Sequence, residues 1–232
     1  MEDKIIVTQS IQNYLKAIFT LSNQGDPVST TALAARLEVN AASVTGMVQK
    51  LSIANAPLLT YQKHKGVKLT QVGEKAALEV IRHHRLLETY LVTKLGYSWD
   101  EVHAEAEQLQ HAVSDLLVAR IDAALGYPSR DPHGEFIPRA DLSIPVDSSL
   151  SLLALRPPQR CTIFRVHDND PQLLVYLEEV KLIPGTKIKV QNYSPLDQNM
   201  TLLVEGQRKS IVIGAAISSR IFVEIDSTKN QA

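Results

Sequence analysis

The chain has 232 residues, 44% of them hydrophobic, enough to bury more than one core and to form one large domain or two to three small ones. Its formal net charge is −1, so no global basic field announces nucleic acid; the first 72 residues, with seven Lys and Arg against four Asp and Glu, carry a local net +3. The single cysteine, Cys161, excludes an internal disulfide framework and any thiolate-rich zinc or iron–sulfur site, and fits a cytoplasmic setting.

The opening stretch MEDKIIVTQSIQNYL lacks the basic flank and apolar run of a signal peptide. No window holds about eighteen consecutive apolar residues, so no membrane association is expected. Residues 10–21, SIQNYLKAIFTL, place Ile11, Tyr14, Leu15, Ile18 and Phe19 at helical spacing, and NQGDP ends that helix. VSTTALAARLEV follows, with Ser29 or Thr30 as N-cap and an apolar stripe of Leu33, Ala34 and Leu37; NAASVTGMVQKLSIA comes a few residues later. Two short helices with a tight connection predict a helix-turn-helix. In PLLTYQKHKGVKLTQVG, the apolar and β-branched runs 58–61 and 67–70 flank KHKG, where Gly66 can take a positive φ. The expected element is a hairpin with a basic tip, which completes a winged helix.

From Gly73 the pattern predicts helix to about Leu95, a break at GYSWDE capped by Ser98 or Asp100, and helix again to about Leu125. Prolines cluster between Tyr127 and Gln159, which predicts an ordered crossing or a linker without regular structure. From Cys161 on, CTIFRV, TKIKVQNY, MTLLVEG, SIVIG and RIFVEI alternate with turns around one helical insert, DPQLLVYLEEV, predicting a small β-barrel of five strands and a helix. The expected fold class is mainly α with a β C-terminal domain: a winged helix-turn-helix over residues 1–72, a helical domain over 73–142, a proline-rich linker over 143–159 and an SH3-like barrel over 160–228.

Within the second helical pair, HAEAEQLQH spaces His103, Glu107 and His111 four residues apart, with Gln110 beside them. On a helix, Glu107, Gln110 and His111 fall within an arc of roughly 100°, one turn from His103. His84 and Glu88 in HHRLLETYL repeat the pattern on the preceding helix, so two helices could offer donors to one metal ion. The bland alternative is a pair of solvated faces with ordinary i,i+4 pairs.

The order of these motifs, namely ASVTGMVQKL with LLTYQKHKGVKLTQVG, RHHRLLE with HAEAEQLQH, DPHGEFIP, and a barrel with LIPGTKIKV, resembles the diphtheria-toxin-repressor family of metal-dependent transcription regulators. In the DNA-reading part the likeness is greatest to its manganese-transport-regulator branch. The resemblance implies a primary metal site drawing on Asn13, Glu107, Gln110 and His111. A second site would draw on His84, Glu88 and His103, with a polar residue of the barrel, Asp170 or Gln172. His84 could serve either site.

This chain departs from the family pattern at the primary site. Asn13 and Gln110 put neutral amides where the family has anionic or soft donors, and Lys16 stands where the manganese branch has an acidic residue. Glu107 replaces the cysteine of the iron branch. An oxygen and imidazole set suits Mn(II) or Fe(II), the expected cofactors. The second site is expected to keep its ligands, and the primary site to be weakened or reshaped.

By the same resemblance, the helix over residues 40–51 enters the major groove of double-stranded DNA. Asn40, Ser43 and Thr45 are the expected polar contacts, with Ala42 and the Thr45 methyl against thymine methyls; Lys50, Lys63, His64 and Lys65 suit phosphates. Capping or packing is the plainer role for Ser43 and Thr45. A homodimer would set two such helices about 34 to 36 Å apart, or a multiple of it, on a palindromic operator. Metal at the primary site would clamp the DNA-reading domain to the dimerisation domain, making the protein a metal-activated repressor of metal-uptake genes.

Two other readings compete. An enzyme is disfavoured, since the chain has no Glu-x-x-His, His-Glu-x-x-His, Gly-x-Ser-x-Gly or phosphate-binding Gly-rich loop. The alternative is a winged-helix regulator whose altered primary site no longer senses metal. LRPPQ is either a proline-stiffened linker or an internal tether to the barrel, and Cys161 is expected to pack in a strand rather than sense redox state. His64, His133 and His167 are read as wing, turn and strand-end residues, not ligands.

Overall fold

The computed structural model describes residues 8–22, 25–53, 56–167 and 170–226. The expectation for the N-terminal stretch lies, for residues 1–7, outside the described residues. Contacts divide the chain into two compact units. One comprises Met1–His84, Gln110–Val113 and Pro138–Ser143; the other comprises Arg85–Leu109, Ser114–Ile137 and Ile144–Ala232. The first unit runs through His84 and takes in two short segments from later in the chain, so this division by contacts is not a sequential one.

The first unit is a winged helix. Helix α1, Gln9–Leu21, starts at Thr8, whose side chain accepts from Ile11 N, and buries Ile11, Tyr14, Leu15, Ala17 and Ile18. Helix α2, Thr30–Leu37, is capped by Ser29 and ends at Glu38 in the left-handed region. Helix α3, Ala41–Ser52, is capped by Asn40. Its buried Val44, Val48 and Leu51 join Leu15, Ile18 and Leu33 in one core. Strands β1, Leu59–Gln62, and β2, Gly66–Leu69, form the expected hairpin, registered Leu59↔Leu69 to Gln62↔Gly66. Val28 adds a third edge: its N–H donates to Val67 O and its carbonyl accepts from Val67 N, both at 2.8 Å. Gly66 has φ +106°, and a Cβ there would lie 2.6 Å from Val28 O, so both the turn and this close approach require glycine.

Helix α4, Gln71–Leu95, carries His84 and Glu88. The continuous helix expected to about Leu125 is instead two: α5, Val102–Leu109, and α6, Asp115–Ala124. Ser114 caps α6 by accepting from Leu117 N at 3.3 Å, with Asp115 in the first turn, a local start signal that outcompetes continuation of α5. Gln110 and His111 therefore lie in a turn and do not share a helical face with Glu107.

In the second unit, β3, Leu150–Ser151, β4, Arg160–Val166, β5, Lys187–Tyr193, β6, Met200–Val204, β7, Ile211–Ile213, and β8, Ile221–Ile225, form an antiparallel SH3-like sheet in the order β3-β8-β4-β5-β6-β7. Bulges between Ile163 and Arg165 and between Val190 and Asn192 add twist. Helix α7, Pro171–Glu179, and the short α8, Ala215–Ser218, complete it. Strand β3 corrects the expectation that residues 143–159 are only a linker: Leu150 and Ser151 pair with Val223 and Phe222, and Leu152 and Leu155 are buried in the core of the sheet. LRPPQ lies against its own sheet, with the Arg156 guanidinium 3.7 Å from the Tyr193 ring centroid and Gln159 O accepting from Val190 N at 2.9 Å. Cys161 is in this core, and burial, with the charge of Asp226, pushes its thiol up to about 12, as suits a packing residue.

The DPHGEFIP crossing is pinned to β4. Val166 N donates to His133 O at 2.9 Å, and the Arg130 guanidinium lies over the rings of Phe136 and Phe164. Gly134 has φ +87°, and a Cβ there would fall 2.1 Å from Phe164 O. Gly134→Ala should therefore cost about 2 kcal/mol or more. Gly46→Ala, on α3 with nothing within 4 Å, should stabilise by about 0.5–1 kcal/mol. Urea denaturation of both variants checks the contrast.

Glu135 anchors the crossing through Arg165 Nη1 at 3.1 Å, His167 Nδ1 at 2.9 Å and Arg85 Nη2 at 3.4 Å. Burial works to raise its carboxyl, but the His167 hydrogen bond and the two arginines prevail and hold it at about 2. Since the folded value lies below the unfolded one, this stabilisation is full above about pH 4.5 and is lost as pH falls towards 2. Glu135→Gln should cost about 3 kcal/mol at pH 7. Denaturation at a series of pH values should show the gap from wild type closing over that acid range.

Candidate metal centre

Glu88 on α4 is only 2% exposed. Its Oε1 lies 2.9 Å from His103 Nδ1 on α5, and its Oε2 lies 3.9 Å from His133 Nδ1 on the crossing. His84, buried at 5%, precedes Glu88 by one helical turn, so the two side chains share a face of α4 and offer ligand atoms within 4.8 Å of each other. Two imidazoles and a carboxylate in this arrangement fit a divalent cation of the Mn(II), Fe(II) or Zn(II) kind, and burial lowers competition from water.

Glu88 also belongs to a second convergent group with Asp131 and His133, whose ligand atoms all lie within 4.8 Å. His133 is tied to Trp99 twice: Nε2 donates to Trp99 O at 2.8 Å, and the rings stack with centroids 5.4 Å apart. Burial would lower the His133 pKa, but the facing Glu88 carboxylate and Asp131 raise it to about 9. Asp131 is held up by burial and by the charge of Glu88, against Arg85 and His133. Its Oδ1 accepts from His133 N and Glu135 N, both at 2.9 Å, and its Oδ2 lies 3.6 Å from Arg85 Nε. The guanidinium makes this group a support for Glu88 more than a cation site. Read from sequence as a turn residue, His133 is brought to Glu88 by the turn that Asp131 closes; the Asp-Pro-His-Gly run was the available signal. Asp170, expected as a barrel donor, accepts from Gln172 N at 3.0 Å as the N-cap of α7 and joins neither convergent group; Gln172 is exposed.

The residues expected at the primary site are differently placed. Glu107 is half-buried on α5 in the second unit, whereas Asn13, Gln110 and His111 belong to the first. There Lys16 Nζ donates to Gln110 Oε1 at 3.2 Å, Gln110 Nε2 and His111 Nε2 are 3.1 Å apart, and His111 Nδ1 makes a short hydrogen bond with Gln12 Oε1. Gln110 is 2% exposed. Asn13 Oδ1 is buried without a hydrogen-bond partner among the described residues. Gln12 had no place in the expected set, although it stands one helical turn before Lys16.

On α3, Ala42 and Ser43 are exposed and Thr45 is half-buried, its hydroxyl donating to Ala41 O at 2.9 Å. Asn40 Oδ1 accepts from Ser43 N at 2.8 Å, so its oxygen serves the cap. Gly46 and Gln49 continue the exposed face, and Gln49 was not among the expected contacts. Lys50, Lys63, His64 and Lys65 are all exposed.

Three family models match the chain: the iron dependent repressor N-terminal DNA binding domain over residues 7–67, the iron dependent repressor metal binding and dimerisation domain over residues 70–139, and the FeoA domain over residues 150–225. The iron-dependent repressor IdeR of Mycobacterium leprae (strain TN) is 28% identical over 218 residues, which are 89% of this chain and 92% of that protein. A solved manganese-dependent transcriptional repressor in complex with manganese matches with a TM-score of 0.85 and 40% identity, over 93% of this chain and 99% of that one. The manganese regulator SloR matches with a TM-score of 0.76 and 32% identity, over 93% and 98%. Three matched domains in sequence, with 40% identity along nearly the whole of a solved repressor, make this chain a member of the diphtheria-toxin-repressor family of metal-dependent transcription regulators, with affinity to its manganese-regulator branch.

Proposed function

We propose that this protein is a DNA-binding repressor of metal-uptake genes activated by Mn(II) or Fe(II), acting as a cytoplasmic homodimer and without catalytic activity. The observation that carries the reading is the buried Glu88 with His84 and His103, a nitrogen and oxygen donor set in a chain that also presents an exposed helix-turn-helix face. His84, Glu88 and His103 would hold the ion, and His133 would orient Glu88 from the side away from His103. A bound ion would supply positive charge between α4 and α5, where His103 Nδ1 lies 2.9 Å from Glu88 Oε1.

For DNA, Ala42, Ser43 and Thr45 would face bases, together with the free end of the Asn40 amide, while Lys50, Lys63 and Lys65 would meet phosphates. Exposed Leu116 and Leu117 on α6, with Leu95 and Tyr127, supply apolar surface suited to a second copy. Metal raises operator affinity only as far as it binds the DNA-competent form more tightly, and DNA must raise metal affinity by the same factor.

The test begins with duplexes selected from a random pool by the Mn(II)-loaded protein, whose affinity is then measured by fluorescence anisotropy with Mn(II) and with chelator. Tighter binding with Mn(II), abolished by the double variant His84→Ala with His103→Ala, is expected. Equal affinity with metal and chelator would sink the reading. Lys63→Ala with Lys65→Ala should weaken binding to all duplexes alike and lower the salt slope by about 2 per protomer, about 4 for the dimer.

A further inference from the structure

The polar junction between α1 and the turn after α5 holds a directed chain of hydrogen bonds. An ammonium only donates, so Lys16 Nζ at 3.2 Å fixes the Gln110 amide with its oxygen towards Lys16 and its nitrogen towards His111. The Gln110 N–H can then be satisfied at 3.1 Å only if His111 Nε2 accepts. That assigns the ring proton to Nδ1, which donates to Gln12 Oε1. One lysine thereby sets the amide orientation, the imidazole tautomer and the partner on α1. Gln110, 2% exposed, has little water to turn towards instead.

We infer that Lys16 takes the place of a metal ion at this junction, so that the protein binds regulatory metal only at His84, Glu88 and His103. Three features of the chain carry this. The Gln110 oxygen is committed to an ammonium. The His111 Nε2 lone pair is committed to an amide N–H, and Nδ1 is protonated, so neither nitrogen faces a cation without breaking the chain. A resident positive charge also stands where a divalent ion would have to enter. Asn13 Oδ1 is neutral and has no hydrogen-bond partner among the described residues. α1 and residues 110–111 are consequently joined by hydrogen bonds at every metal concentration, and the response to metal resides in the donor set on α4 and α5. The site of that response rests on the function proposed above; the exclusion of metal by Lys16 does not.

Calorimetric titration of the metal-free full-length protein with Mn(II) tests it. Wild type should bind one equivalent per chain, lost in His84→Ala with His103→Ala. The double variant Lys16→Glu with Gln110→Glu should bind two, having exchanged the cation and amide for carboxylates beside His111 and Asn13. Circular dichroism melting establishes that each variant is folded. Two equivalents in wild type, one of them lost in His111→Ala, would overturn the inference, as would a folded double variant that still binds one. No binding by wild type with one equivalent in the double variant would sustain the role of Lys16 while removing the metal site at Glu88. Long-range ¹H–¹⁵N spectra of the metal-free protein give an independent reading: His111 should be the Nδ1–H tautomer, and the Nε2–H tautomer in wild type would contradict the chain.

Discussion

Glu88 is the constraint around which the second unit is organised. A carboxylate almost wholly removed from water is costly unless charge and hydrogen bonds replace the lost hydration. Here the replacement comes from two directions, His103 on α5 at one oxygen and His133 on the crossing near the other. His133 in turn depends on Trp99 for its orientation and on Asp131 for the turn that presents it. Asp131, itself buried, answers to Arg85 one helical turn before Thr89 on α4. Helix, turn and crossing thus share one electrostatic problem, and a cation at Glu88 would alter all of its terms at once.

The first unit solves a similar problem by other means. Gln12, Lys16, Gln110 and His111 are linked through donor–acceptor pairs whose direction follows from the ammonium. Such a chain holds its members in place by engaging the Gln110 oxygen and both His111 nitrogens in hydrogen bonds. Around Glu88, by contrast, imidazole nitrogens and a carboxylate converge within 4.8 Å of one another, which a divalent ion can satisfy better than any single hydrogen bond. The difference between the two junctions lies in a few side chains: an ammonium, two amides and an imidazole in one, a carboxylate and imidazoles in the other.

Much of this was legible in the sequence. Caps at Ser29 and Asn40, helical spacing from Ile11 to Ile18 and the Gly66 turn are local signals, and local physics placed the winged helix. His84 and Glu88 could be paired from their i,i+4 spacing alone. What escaped depends on distant partners. Strand β3 is two residues long and exists because β8 offers an edge to it. The break after Leu109 was hidden by a donor pattern that runs on at helical spacing through His111. His133 looked like a turn residue because it is one; only the docking of that turn on β4 brings it to Glu88. The inward direction of Lys16 required the partner, Gln110, to be placed first.

The most direct test of the account is a crystal of the full chain grown with Mn(II), with anomalous diffraction collected on both sides of the manganese absorption edge. One anomalous peak per chain is predicted, bonded to His84, Glu88 and His103, with none beside His111. Manganese bonded to His111 or Gln110 would contradict the claim that Lys16 has replaced the metal there.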